Sequence, residues 1–488
     1  MEALPVPVLD VASSGRDLLL EMELRRGFMR RDLRCALREA IQEGRLEAGT
    51  RLPSSRRLAS DLEVSRGVVA DTYDQLAAEG YLRVEPRRAP VVIDVAEALR
   101  PDDADDALPP SRAPGDVGHQ ALPIDFTATA PDLELFPRRA WLRAMERAIR
   151  DTPNEVLDYG DHRGRPELRE ALREYLSRVR GVRTSAQRIV ITGGFTQALD
   201  LLVAVLRERG ARSIGFETPS NINAWATVQA AGLDMVALPV DADGLRTADL
   251  ESVDVAAIVV TPAHQFPTGA VLTPARRAEL VAWAAARPGR LIIEDDYDAE
   301  FRYDRLGVGA VQGLDPARVV HVGTASKTFA PGIRLGWMSV PTDLLDAVTA
   351  AKAIADSGSP ALEQLALADL LASGEYDRHI ARARQVYRHR RDALVAALGR
   401  WLPALPVEGI AAGLHVLVRL PAGSDDVAIA AAAAEHGIGV KPLSPMALDG
   451  DRRARGLVLG YGRLSPDGIE ASVRALAATM PIAQASSS

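Results

Sequence analysis

The amino-acid sequence predicts an α/β protein in two parts: a small helical unit that ends in two short strands, and a much larger domain in which strands feed helices. Three observations carry that expectation. Up to about residue 95 the apolar residues recur at helical spacing and are interrupted at helix-turn-helix intervals. From Ala96 to Pro123 the chain is rich in Pro, Asp and Gly and has no apolar period, so it reads as a flexible linker. Beyond residue 124, and up to about 482, apolar runs alternate with amphipathic helices, the pattern of an α/β domain. The boundaries are therefore set at 14–95, 96–123 and 124–482.

Composition narrows the function classes. A formal charge of -8 argues against an overall nucleic-acid coat, so any DNA-binding surface has to be local. The single cysteine, Cys35, excludes an intramolecular disulfide framework and a cysteine-cluster metal site, and is expected to be a buried helix residue. No run approaches the roughly eighteen uninterrupted apolar residues of a membrane span. The first residues, MEALPVPVLDVASSG, lack a basic region followed by a continuous apolar segment. The expectation is a soluble, cytoplasmic protein with no membrane partner.

In the small unit, Phe28, Leu33, Ala36, Leu37, Ala40 and Ile41 mark a helix running to Gly44. After the turn Glu47 to Pro53, Ser55 to Leu62 should form a short helix, Glu63-Val64-Ser65 a tight turn, and Arg66 to Glu79 a second helix closed by Gly80. Tyr81 to Val84 and Ala89 to Ile93 are strand-like runs around Glu85-Pro86-Arg87-Arg88, a wing with a basic tip. Arg51, Arg56, Arg57 and Arg66 gather around the two short helices, with Ser54, Ser55 and Ser65 at helix starts, where hydroxyls and free N–H groups suit phosphates. The second short helix would enter the major groove with Ser65, Arg66 and Gly67 nearest the bases, and its acids Asp71, Asp74 and Glu79 should face away. Gly49-Thr50-Arg51-Leu52-Pro53-Ser54-Ser55-Arg56-Arg57-Leu58-Ala59, with Val64 to Val69 and Leu76 to Leu82, resembles the winged helix of GntR-type bacterial repressors. That resemblance implies DNA contacts by Arg56, Ser65, Arg66 and Gly67.

In the large domain one residue stands out by scarcity. The chain has 58 basic residues of which only Lys327, Lys352 and Lys441 are lysines, leaving 55 arginines. Codon bias alone would thin lysines everywhere. Lys327, however, lies in Thr324-Ala325-Ser326-Lys327-Thr328 with Arg334 seven residues on. Lysine can form an imine when its amine is neutral and arginine cannot, which points to a Schiff-base lysine holding pyridoxal 5'-phosphate.

Four further segments bear on it. The strand Arg188 to Thr192 passes through Gly193-Gly194-Phe195-Thr196 into a helix, leaving N–H groups aimed at one spot, an anion site. The apolar strand Leu291-Ile292-Ile293 ends in Glu294-Asp295-Asp296-Tyr297-Asp298, where a carboxylate could face a pyridine nitrogen (Asp295) and a phenol the ring hydroxyl (Tyr297). The others are Thr261 to Gly269 after the strand Ala257 to Val260, and Tyr159 to Pro166 before a long helix.

In this order the five segments resemble fold-type I aminotransferases over residues 124 to 482. The resemblance implies a large mixed-sheet domain with a smaller C-terminal α+β subdomain. It also implies the roles: Lys327 as the Schiff-base residue, Asp295 on the pyridine nitrogen and Tyr297 on the ring hydroxyl. Phosphate would be held by Gly194, Phe195, Thr196, Thr324, Ser326 and Arg334, and by Tyr159 of a second subunit. A GntR-like winged helix, a linker and this domain together resemble the MocR family of transcriptional regulators, which implies a homodimer on a double-stranded DNA operator.

Some positions depart from the aminotransferase pattern. Asn221 stands where an aromatic ring usually stacks on the cofactor, with Trp225 nearby in sequence. Phe266 replaces an asparagine, beside Gln265 and His264, and Val458 replaces the arginine that clamps a substrate carboxylate, flanked by Arg455 and Arg463. The expectation is therefore a regulator that senses pyridoxal phosphate, an amine or an amino acid, with an active aminotransferase carrying a fused DNA-binding unit as the alternative.

Overall fold

A computed structural model describes residues 28–86, 88–93, 122–303, 308–448 and 454–480. The expected N-terminal start at 14, most of the linker, Arg87 of the wing tip and residues 481–482 lie outside the described residues. The chain divides into two compact units between Ser111 and Arg112.

In the first unit α1 (Met29–Gln42), α2 (Ser55–Asp61) and α3 (Arg66–Ala78) precede the antiparallel pair β1 (Leu82–Arg83) and β2 (Val91–Val92). The helices start where hydroxyls can cap them: Ser54 Oγ accepts from Arg57 N and Ser65 Oγ from Val68 N. Each cap is worth about 1 kcal/mol. Leu33, Leu37, Leu58, Val69, Tyr73 and Leu76 form one core, and Tyr73 Oη donates to the Pro53 carbonyl at 2.9 Å. Cys35 is half-buried rather than buried, because it lies beside the apolar stripe of α1 and not on it.

The second unit opens with β3 (Ile124–Asp125), α4 (Arg138–Asp151), α5 (Pro166–Arg180), β4 (Ile189–Thr192), α6 (Phe195–Glu208), β5 (Ser213–Thr218), α7 (Ile222–Ala230), β6 (Asp234–Asp241) and β7 (Gly244–Leu245). Then come β8 (Ala257–Val260), α8 (Pro274–Ala285), β9 (Leu291–Asp296), β10 (Val319–Thr324), β11 (Gly336–Ser339), α9 (Thr342–Asp356), α10 (Ala361–Ala372) and α11 (Glu375–Trp401). The last elements are β12 (Val407–Glu408), β13 (His415–Arg419), α12 (Asp426–Glu435), β14 (Ile438–Gly439), β15 (Lys441–Pro442), β16 (Gly456–Gly460) and α13 (Ile469–Thr479).

Eight strands make one mixed sheet in the order β4-β11-β10-β9-β8-β5-β6-β7. The central strands β10, β9, β8, β5 and β6 run parallel, and β11 is antiparallel to both of its neighbours. Strands covered on both faces are buried along their length and mostly apolar, the exceptions here lying at their carboxyl ends, Thr192 in β4 and Glu294 to Asp296 in β9. Ile189 to Thr192, Ala257 to Val260 and Leu291 to Asp296 are buried at every position. A four-stranded sheet, β12-β13-β16-β15, forms the smaller C-terminal part, packed under α11 and α13 around Tyr387, Leu394, Leu459 and Val473. Among the described residues no helix is long and apolar enough to cross a membrane.

Candidate functional site

The carboxyl ends of β4, β5, β8, β9 and β10 converge on one cavity of about 260 Å³, the position where open α/β sheets bind ligands. It is lined by Gly194, Phe195 and Thr196 after β4, Glu217 and Ser220 at β5, Thr261 and Phe266 after β8, Asp295 and Tyr297 at β9, and Thr324, Ser326, Lys327 and Arg334 beyond β10. Nine of the ten residues expected at a cofactor site therefore share one cavity. The tenth, Tyr159, is 86% exposed and does not line it.

One rim of the cavity gathers groups of the kind that can hold an anion. Gly194 adopts φ 117°, a conformation L side chains rarely reach, and the chain turns there into α6, whose first N–H groups have no intrahelical acceptor. A Cβ on Gly194 would stand 3.7 Å from the Arg334 guanidinium and from Thr324 Oγ1. Thr324 Oγ1 donates to Ser326 Oγ at 2.9 Å and accepts from Ser326 N at 3.1 Å, which orders the hydroxyl pair. Among the described residues no carboxylate lies within 4.0 Å of the Arg334 guanidinium, so it stands ready for an outside acceptor.

The acidic end of β9 divides by strand alternation. Glu294 points away and accepts from Val311 N (2.8 Å) and Gln312 N (3.0 Å). Asp296 also points away, onto Arg180 (2.7 and 3.1 Å) and His321 Nε2 (2.9 Å). Asp295, between them, faces the cavity, and its Oδ1 is buried with no hydrogen-bond partner. Burial, then the neighbouring Asp296 and Asp298, push its carboxyl well above the usual range, and Lys327 opposes that rise.

Lys327 Nζ contacts Thr129 Oγ1 at 3.3 Å. Its pKa is lowered, first by burial and further by Lys441 and Arg463, while Asp295 and Asp298 pull the other way. A lowered amine is what a lysine nucleophile needs. Tyr297 Oη donates to the His264 carbonyl (3.1 Å) and lies 3.2 Å from His264 Nδ1, which pairs with Asp298 Oδ2 at 2.9 Å. His415 packs beside His264 with ring centroids 5.0 Å apart, so the Gly413-Leu414-His415 and His264 segments buttress Tyr297 together.

The departures resolve one by one. Asn221 lines the cavity and caps α7 through its own Oδ1. Trp225 does not line it; its Nε1 donates to Ser220 Oγ at 3.1 Å and its ring packs on the sheet core. Gln265 gives its amide to the Pro219 carbonyl (2.9 Å) and the Phe266 carbonyl (2.7 Å), so of the three neighbours His264 alone reaches the Tyr297 hydroxyl. Arg455 turns to Asp426 and Arg463 to Asp125, each at 3.4 Å, and neither lines the cavity. Sequence reasoning missed Thr129, Glu217 and Lys441. Only Lys441 left a signal, since it is one of three lysines.

Glu217 supplies a test of the local electrostatics. Burial raises its carboxyl to about 7, against hydrogen bonds from Thr261 and Gln265. Its folded value lies above the unfolded 4.5, so its contribution is fully present below 4.5 and is lost as pH rises to about 7. The loss is roughly 3 kcal/mol. Glu217→Gln is expected to flatten the pH dependence of thermal unfolding across that window and to be the more stable protein at pH 8. An unchanged slope would mean that Glu217 is ionised in the fold.

In the first unit, Arg56, Ser65, Arg66 and Gly67 are all exposed. Two of the three acids expected to face away pair with α1, Asp71 with Arg30 at 3.2 Å and Glu79, the cap of α3, with Arg34 and Arg38 at 3.9 and 3.8 Å. The N-terminal end of α3 is thus left with hydroxyl, guanidinium and backbone N–H groups.

Comparison with known proteins agrees with both units. Residues 30–92 match bacterial regulatory proteins of the gntR family, and residues 124–477 match aminotransferase class I and II. The chain is 32% identical to the probable rhizopine catabolism regulatory protein MocR of Rhizobium meliloti, covering 92% of this chain and 93% of that one. It is also 32% identical to the pyridoxine biosynthesis transcriptional regulator PdxR of Corynebacterium glutamicum, over 88% of this chain and 91% of that one. Among solved structures, an archaeal alanine:glyoxylate aminotransferase superposes with a TM-score of 0.68 at 30% identity, covering 73% of this chain and 90% of that one.

Proposed function

Because the chain belongs to the MocR-type transcriptional regulators, which join a GntR helix-turn-helix to an aminotransferase class I and II domain, we propose that its large domain senses pyridoxal phosphate, or an amine or amino acid that reacts with it. The observation that carries this reading is the unpartnered, buried Asp295 Oδ1 in the same cavity as the lowered amine of Lys327. When bound, the cofactor supplies an aldehyde that captures primary amines and a ring that withdraws electrons.

The residues fit that group. Lys327 would hold it covalently, and Asp295 Oδ1 would accept from the pyridine nitrogen. Tyr297, fixed by His264, would stand beside the ring hydroxyl. The backbone of Gly194, Phe195 and Thr196, the hydroxyls of Thr324 and Ser326, and the Arg334 fork would take the phosphate, which a guanidinium matches in geometry. The exposed Tyr159 would complete the site of a second copy in a homodimer. Ligand arrival then shifts the population between two dimer arrangements that place the winged helices differently on the half-sites of an operator.

Two measurements test the reading. Wild-type protein resupplied with pyridoxal phosphate should acquire a lysine-bound absorbance band, and its operator affinity should change with the cofactor or with amines. No band would sink the cofactor half. On the DNA side, Arg66→Ala is expected to weaken operator binding roughly tenfold or more without altering the band. Equal affinity would remove Arg66 from the interface. The second reading, retained aminotransferase turnover, is favoured by Lys327 and Asp295 sharing the cavity. Multiple turnovers at an enzyme-like rate with an amino-acid panel would establish it, and single-turnover or no reaction would leave sensing alone.

A further inference from the structure

Lys441 opens β15 and pairs with Val458 of β16. Residues directly opposite in an antiparallel pair project from the same face of the sheet. On that face Val458 packs with Ala128, and Phe266 packs against the cluster they form; Ala128 and Phe266 also line the cavity, as does Lys441 itself. Among the described residues of this sheet Lys441 alone lines the cavity, where its neighbours in the lining, Ala128 and Phe266, belong to or pack on the same apolar cluster as Val458, so it sets an ammonium beside an apolar patch.

That ammonium has no dedicated partner. Among the described residues no carboxylate lies within 4.0 Å of Lys441 Nζ, and the one acid that acts on it, Asp125, is committed to Arg463 and to the Thr127 N–H at 2.8 Å. Of the other two basic groups in the cavity, Arg334 sits against the Gly194 turn and Lys327 contacts Thr129. A chain that uses arginine 55 times out of 58 places two of its three lysines in this one cavity. A partly buried cation without a counter-charge carries a desolvation cost that a bound anion would offset.

We propose that Lys441 forms the acid-binding end of the cavity and holds the carboxylate or sulfonate of an amino-acid effector whose amine lies toward Lys327. The assignment rests on the cofactor reading above and selects its amino-acid branch, giving the acid group a named residue. Burial lowers the Lys441 pKa and Asp125 sustains it, and its charge in turn depresses Lys327.

That mutual repulsion supplies the test. The probe is propionate, a carboxylate with no amine, added to full-length protein carrying pyridoxal phosphate, with chloride at equal ionic strength as the control. The readout is the pH midpoint of the lysine-bound absorbance band. Removing the ammonium in Lys441→Gln relieves repulsion on the protonated form and should raise the midpoint by about one unit. Propionate should raise the wild-type midpoint beyond chloride, leave Lys441→Gln unmoved, and act on Lys441→Arg as on wild type. A propionate effect that is absent in wild type, or equal in wild type and Lys441→Gln, overturns the role of Lys441 alone. Absence of any band that depends on Lys327 overturns the cofactor reading and this assignment with it.

Discussion

Lys327→Ala protein, resupplied with pyridoxal phosphate, is expected to show none of the lysine-bound absorbance band, a complete loss rather than a graded one. The reason is chemical: 55 of the 58 basic residues are arginines, which cannot form an imine. Of the two remaining lysines, Lys352 is buried with its Nζ 2.6 Å from Asp356. Lys441 shares the cavity and is the internal competitor. Lys327→Arg keeps the charge beside Asp295 while removing the chemistry, so it separates loss of a covalent bond from loss of an electrostatic partner. Both variants keep Arg334, Thr324 and Ser326, so the cofactor should still be taken up weakly and be lost on dialysis. DNA binding through Arg66 should survive in both variants. A band that persists in both, and disappears only when Lys441 is also changed, would transfer the covalent role to Lys441.

The anion rim and β9 were legible because their signals are local. A strand followed by Gly193-Gly194 and a helix start is written in consecutive residues, and the chain does turn there from β4 into α6 with Gly194 at a positive φ. The helix-turn-helix was legible for the same reason, and Ser54 and Ser65 cap the helices they were expected to start. What stayed hidden depends on contacts between distant segments. Thr129 meets Lys327 across 198 residues, and Lys441 meets Val458 only through the register of β15 on β16. No periodicity encodes either contact. Trp225 shows the converse. Near the cavity in sequence, it is turned from it by a hydrogen bond to Ser220 and by apolar packing on the sheet.

The division of labour along β9 leads to the largest stability effect. Asp296 and Arg180 are each 5% exposed or less. Arg180 gives Nε and Nη2 to Asp296 and Nη1 to the Val308 carbonyl, tying the end of α5 to the back of β9. Arg180→Met fills similar volume but leaves a buried carboxylate facing only His321, which should cost about 3–5 kcal/mol at neutral pH. All five tryptophans lie in the large domain, so urea unfolding followed by their fluorescence reports that unit without interference from the winged helix. Against the opposing effect of burial, Arg180 and His321 hold the Asp296 carboxyl below its ordinary 3.8. The network's contribution is therefore present above that value and lost as pH falls through the folded one. Adding Asp296→Asn to Arg180→Met should recover part of the loss, since the stranded charge is then gone. Asp296 and Asp295 are consecutive residues of one strand, so releasing the first also frees the aim of the second, and Arg180→Met should retain pyridoxal phosphate less well although Arg180 does not line the cavity. An unfolding midpoint unchanged from wild type would mean that the Asp296 carboxylate is accommodated without Arg180 and that other contacts hold Asp295 in place.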